Sequence, residues 1–117
     1  MEGVSAAELL YLHARLAARL GCPAGVASTD ALRAALAQAG RDTGGLFERA
    51  AALAIALIRE RPFRAANEAL ALAAAALLLR RYGLDVALVP GQMAGLAALL
   101  LRGEVAELAN WLRVRVE

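Results

Sequence analysis

The sequence predicts an all-α domain of about six helices around a buried central helix at about 67–82. Three observations carry that reading. Apolar residues recur at helical spacing in run after run, as they do on the inward face of amphipathic helices. Glycine, proline and small polar residues stand between the runs, where helices are capped or stopped. One stretch, 70–79, is apolar on every face, which predicts burial on all sides. With 117 residues there is room for one core, and no linker or repeat divides the chain.

Each element has its own local reason. Ser5-Ala6-Ala7-Glu8 has the spacing of a capping box, so the first helix should begin at Ser5. Leu9, Leu12, His13, Leu16 and Leu20 follow at helical spacing, and Gly21 with Pro23 ends the run. Residues 22–27 form a loop. Asp30 or Thr29 is placed to cap a second helix, which runs to about Ala39 before the short glycine-rich connection 40–45. A third helix carries Leu46, Ala50, Leu53, Ala54, Leu57 and Ile58 as its buried stripe. It should end near Glu60, because the residue before Pro62 avoids the helical region. The central helix starts at about Ala66 or Asn67 and is stopped by Gly83. Leu84 to Val89 reads as a short extended segment, and Pro90 suits the first turn of a fifth helix reaching about Leu101. Gly103 breaks that helix, and a last one from about Glu104 to Val114 turns Val105, Leu108, Ala109 and Leu112 inward.

Composition narrows the function classes. The chain is 61% hydrophobic with a mean hydropathy of +0.55, a value that by itself suggests a membrane protein. Much of that is alanine, the best helix former, and the longest uncharged apolar stretch, 69–79, falls short of the ~20 residues that cross a bilayer. The start has no basic region followed by an apolar core, so no signal peptide is expected and a cytoplasmic location is. One cysteine, Cys22, leaves no internal disulfide, and no Cys/His cluster suggests zinc. All thirteen basic residues are arginine, and they are spread among eleven carboxylates, so no nucleic-acid footprint is expected. Arg80-Arg81 and Arg113/Arg115 are either phosphate contacts or a solvated helix end and edge.

The most informative segment is 61–69, Arg-Pro-Phe-Arg-Ala-Ala-Asn-Glu-Ala, where the third helix gives way to the central one. It resembles the signature of the Fic/Doc family, in which His-Pro-Phe leads through Asp, Gly or Ala, Asn, Lys and Arg into a central helix. Pro62, Phe63, Ala66 and Asn67 fit. Arg61 stands at the His position, Ala65 at the Asp, Glu68 at the Lys and Ala69 at the Arg. The likeness extends along the chain. Tyr11-Leu12-His13 resembles the first helix of death-on-curing (Doc) proteins, Leu46 to Ala51 the helix before the signature, and Leu78 to Gly83 the end of the central helix. The tail from Met93 through Gly103-Glu104 to Trp111 is similar in layout, and Ala66-Asn67 favours the Doc branch.

The resemblance implies a Fic/Doc-like scaffold. For intact members it implies ATP-dependent transfer of phosphate or AMP to a protein hydroxyl, and Doc-type toxins of toxin–antitoxin pairs phosphorylate elongation factor Tu. In that chemistry the His is the general base, the Asp holds magnesium on the nucleotide, and the Lys and Arg grip phosphates. Arg61 stays protonated and takes up no proton. Ala65 offers no oxygen, so no metal is expected unless Glu68 substitutes. Glu68 repels a phosphate, and Ala69 has no charge to hold one. His13, the chain's only histidine, is far away in the first helix. It is expected to be a partly buried residue hydrogen-bonded to a neighbour rather than a replacement base. No P-loop, H-E-x-x-H or G-x-S-x-G offers another catalytic arrangement.

The expectation is therefore a degenerate Doc-like protein that acts by binding or regulation, with no catalytic residue, metal or cofactor. ATP and magnesium enter only if the family's activity persists. The candidate ligand-binding residues are Arg61, Arg64, Asn67 and Glu68, and two readings of them stay open. In one, Arg61 and Arg64 flank the free N–H groups at the start of the central helix and hold an anion there. In the other, Asn67 caps that helix, Glu60 pairs with Arg64, and Arg61 with Glu68. Phe63 is core in both. The expected partner is a protein, either an antitoxin-like helical peptide or a second copy, seated on exposed positions among Leu96, Leu99, Leu100 and Leu101. Neither nucleic acid nor membrane is expected. The connection 39–45 is shorter than the flap with which many Doc-like proteins line up a target peptide.

Overall fold

The structure, a computed structural model, describes residues 3–42, 44–86 and 96–116. Helix α1 (Ala6–Leu20) opens on the capping box: the Ser5 hydroxyl accepts from the Glu8 N–H at 3.2 Å, and the Glu8 carboxylate accepts from the Ser5 N–H at 3.0 Å. Gly21, at φ 66°, closes it in the left-handed conformation that a side chain disfavours. Helix α2 (Thr29–Gly40) is capped by Ser28 and not by Thr29 or Asp30. Ser28 is the last extended residue, and its hydroxyl accepts from the Ala31 N–H at 3.0 Å. All three residue types make good caps, so the backbone rather than the composition selects among them.

Helix α3 (Leu46–Glu60) stops before Arg61-Pro62 as the proline requires. Helix α4 (Asn67–Arg81) follows after a six-residue junction, 61–66. Helices α5 (Leu96–Arg102) and α6 (Val105–Val114) are separated by Gly103 at φ 68°. Of the extended segment expected at 84–89, Val86 bridges Val116 in antiparallel fashion. Residues 87–89, Pro90, Met93 and the first turns expected of the fifth helix lie outside the described residues. Among the described residues no β-strand forms, and a second isolated bridge joins Val26 to Phe63.

The helices share one core, and its centre differs from the expectation. Helix α3 is the hub: every residue from Ala50 to Ile58 is buried, and the helix packs against α2, α4, α5 and α6. Helix α4, expected to be surrounded, packs against α3 and α1 and leaves Ala69, Ala73, Ala76 and Leu77 half-buried. A helix apolar on every face needs no water on any face, but that does not supply a neighbour for each. Alanine is indifferent enough to sit at the margin. Between the helices lie Leu9, Leu57, Leu70, Leu79, Leu108 and Leu112, each essentially inaccessible. Full burial of such a leucine contributes about 1.5–3 kcal/mol relative to exposure. Among the described residues no helix is long and apolar enough to cross a membrane.

Candidate functional site

The junction between α3 and α4 turns through two left-handed residues, Arg61 at φ 45° and Ala66 at φ 61°. Neither is glycine, and each such residue costs roughly 1–2 kcal/mol of backbone strain. The surrounding bonds must hold them. Arg61 closes α3 by donating its N–H to the Leu57 carbonyl at 2.9 Å, and the Ala66 carbonyl accepts the first bond of α4 from Leu70 at 2.9 Å.

The loop before α2 lies alongside. Val26 and Phe63 face each other in the antiparallel bridge, whose flanking bonds run from Ala27 N–H to Pro62 O at 2.8 Å and from Arg64 N–H to Gly25 O at 3.2 Å. In a pair of this kind the facing residues direct their own N–H and C=O away from each other. Among the described residues no third strand receives those of Phe63. Asn67 receives both: its Oδ1 accepts from the Phe63 N–H at 3.1 Å, and its Nδ2 donates to the Phe63 carbonyl at 3.0 Å. The side-chain amide takes the place that a strand's peptide group would occupy. Asn67 is 3% exposed.

His13 reaches the same place from α1. Its ring stacks on Phe63, with centroids 4.0 Å apart and planes inclined by 15°. Its Nε2 lies 2.7 Å from the Ala65 carbonyl. A carbonyl oxygen only accepts, so Nε2 carries a hydrogen and donates it. The expectation of a distant, partly buried histidine is corrected on both counts. His13 is 1% exposed, and its partner is 52 residues along the chain. A sequence signal for this existed: His13 shares a face of α1 with Leu9 and Ala17, the helix's other buried residues.

The four candidate residues are not one constellation. Arg61 and Glu68 meet, with Arg61 Nη1 3.3 Å from Glu68 Oε1, and both side chains are more than half exposed. Such a pair contributes at most about 1 kcal/mol. Arg64 is exposed, and among the described residues its guanidinium has no ion-pair or hydrogen-bond partner. The expected Glu60–Arg64 pair does not form: α3 ends at Glu60, so the two share no helix, and Glu60 accepts from Gln38 Nε2 at 2.9 Å instead. Asn67 does not cap α4. Ala66 holds that position without a side-chain bond, and Asn67 is the first helical residue, folded back onto Phe63. Glu68 lies in the first turn of α4, where its carboxylate complements the positive end of the helix and opposes an added anion.

The arginines at 80, 81, 113 and 115, open to phosphate contact in the sequence, each find a partner within the fold. Arg81 pairs with Glu8 and donates to the Gly3 carbonyl, tying the end of α4 to the start of α1. Arg80 pairs with Asp85, Arg113 with Glu48, and Arg115 lies over the Trp111 ring. Leu96 and Leu100 are buried and Leu99 half-buried, so of the four leucines expected on the surface Leu101 alone is exposed. Among the described residues no group of His, Cys, Asp and Glu could hold a metal ion. Neither a scan against protein-family models nor a search of curated proteins finds a match to this chain.

Proposed function

We propose that this chain is a Fic/Doc-like helical domain that keeps the family's junction as a structural device and acts by binding a protein partner, without transferring phosphate or nucleotide. The observation behind this reading is how residues 61–69 divide. Those that fit the signature are the ones the fold uses. Pro62, Phe63 and Asn67 are buried, and Ala66 makes the left-handed turn. Of those that depart from it at chemical positions, Arg61 serves the fold through its left-handed backbone and its N–H rather than through its side chain. Arg61 and Glu68 are exposed, while Ala65 and Ala69 are half-buried and have no polar side-chain atom. Shape and chemistry are separable here, so the shape persists where the chemistry has gone.

Each step of the implied reaction lacks its group. Arg61 takes up no proton. His13, the chain's one imidazole, is buried against Phe63 with Nε2 committed to Ala65. At the metal and phosphate positions stand a methyl group at Ala65, a carboxylate paired with Arg61 at Glu68, and a second methyl group at Ala69. The reading assigns the protein no cofactor and no catalytic residue. For the partner, an antitoxin-like helical segment or a second copy, the exposed Leu10, Tyr11 and Leu20 on α1 and Leu101 on α5 supply apolar surface.

Calorimetric titration with ATP and magnesium tests this reading. It is run on the natural chain and on a variant carrying Arg61→His, Ala65→Asp, Glu68→Lys and Ala69→Arg. The natural chain is expected to give no saturable heat, and the restored variant to bind. Saturable binding of ATP by the natural chain overturns the proposal.

A further inference from the structure

We propose that a second site, separate from the junction, binds a small anionic amphiphile: a carboxylate or phosphate head between Arg41 and Arg59, and an alkyl tail over Ile58, Leu100 and Leu101. The starting point is where the arginines find partners. Arg33, Arg61, Arg80, Arg81, Arg102 and Arg113 each pair with a carboxylate. Among the described residues Arg41 and Arg59 have neither an ion-pair nor a side-chain hydrogen-bond partner, and they line one pocket of about 270 Å³. Asp42 lines it too, its Oδ1 accepting from the Gly44 N–H at 2.8 Å; it forms an ion pair with neither arginine, and the three side chains together leave the pocket with a net positive charge.

Ala52, Ile55, Ala56 and Val105 supply the apolar lining of this pocket, with Gln38 beside them. Arg59 crosses it beside Gly103, where a Cβ would come within 2.8 Å of Arg59 Nη2. Glycine at 103, which the φ of 68° already favours, leaves the guanidinium room there. On the far side of Arg59 a smaller pocket of about 150 Å³ continues over Ile58, Leu100 and Leu101. Both pockets share Ile55, Arg59 and Gly103, so they are contiguous. Leu101, 79% exposed, is the large apolar side chain left uncovered at that end. Together the pockets reach the low end of small-molecule sites, which start at about 300 Å³.

The chemistry of the occupant follows from these two halves. Two guanidinium forks match a head with at least two anionic oxygens. Cations are favoured at the C-terminal ends of α2 and α3, but that preference does not account for two of them lining one pocket whose carboxylate, Asp42, forms an ion pair with neither. A purely inorganic anion would leave the leucine end empty, and a neutral lipid would leave both arginines unpaired.

Backbone amide NMR titrations of the full chain with octanoate, octyl phosphate, inorganic phosphate and octanol test the proposal, with no substitution required. Octanoate or octyl phosphate is expected to saturate with shifts centred on Arg41, Arg59 and Leu101, the better of the two identifying the head. Inorganic phosphate and octanol should bind at least about tenfold more weakly, the loss of one charge-assisted bond or of the tail's burial. Arg41→Gln with Arg59→Gln, both on exposed side chains, should weaken octanoate by about tenfold or more, and Arg64→Gln should leave it unchanged. Octanol binding as tightly as the anions, inorganic phosphate matching the amphiphiles, or the double variant binding undiminished would each overturn the inference.

Discussion

Replacing Asn67 distinguishes a residue that pins the junction from one that caps a helix. Asn67→Ala removes two hydrogen bonds, at 3.1 and 3.0 Å, and leaves the Phe63 N–H and carbonyl without partners. Phe63 is 3% exposed, so water does not replace them freely. An unsatisfied buried group costs about 1–3 kcal/mol, so two of them give a loss of roughly 2–6 kcal/mol. For a domain of this length, with about 4 °C of Tm for each kcal/mol, that is a drop of roughly 8–24 °C. Asn67→Asp sharpens the test. The carboxylate still accepts from the Phe63 N–H, but it places a second oxygen against the Phe63 carbonyl where Nδ2 now donates. A buried charge facing an acceptor should cost at least as much as the alanine substitution. A capping role predicts the opposite, because aspartate is as good a cap as asparagine and its charge suits a helix start. Urea unfolding at pH 7, followed by far-ultraviolet circular dichroism, measures both variants. An Asn67→Asp protein as stable as the parent refutes the assignment of Asn67 to Phe63.

Three further outcomes are expected. His13→Phe keeps a ring against Phe63 but loses the bond to the Ala65 carbonyl, and should cost about 1–2 kcal/mol in the same unfolding assay; a neutral effect would mean the bond contributes nothing. Ala66→Gly relieves the left-handed residue and should stabilise by about 0.5–1 kcal/mol, where the same change at Ala74, inside α4, should destabilise. Glu8 is held below its ordinary value of 4.5, first by the Ser5 N–H, with the Ser5 hydroxyl and Arg81 adding to it against a desolvation that raises it. A lowered folded pKa stabilises fully above the unfolded value and is lost as pH falls through the folded one. The Tm difference between parent and Glu8→Gln should therefore be constant near neutrality and shrink below pH 4.5, and a difference that stays constant into acid would refute the linkage.

The helices were legible because their signals are local. Ser5 with Glu8, Gly21, Pro62 and Gly103 act within a few residues of themselves, and the structure places each where its chemistry suggests. What was misread is relational. The alanine-rich middles of α3 and α4 look alike, and nothing in either states that, among the described residues, α3 packs against α2, α4, α5 and α6 while α4 packs chiefly against α3 and α1. At the junction, Phe63 was legible as core, and the Arg61–Glu68 pair was foreseen as one of two readings. Asn67 and His13 were not, because both bond to main-chain atoms, which have no residue identity to match in a sequence. Their partners exist only once α1, the 25–28 loop and the junction come together.

The hub helix has a mechanical consequence. Five of its nine consecutive buried residues are alanine, at 50, 51, 52, 54 and 56. An alanine has no side-chain torsion, so a contact made through it cannot be relaxed by a change of rotamer. A leucine-lined interface absorbs a push by repacking, whereas a methyl-lined one passes it on to the backbone behind. Wherever a neighbouring helix meets α3 through these alanines, the contact leaves fewer rotamers to absorb a displacement than a leucine stripe would.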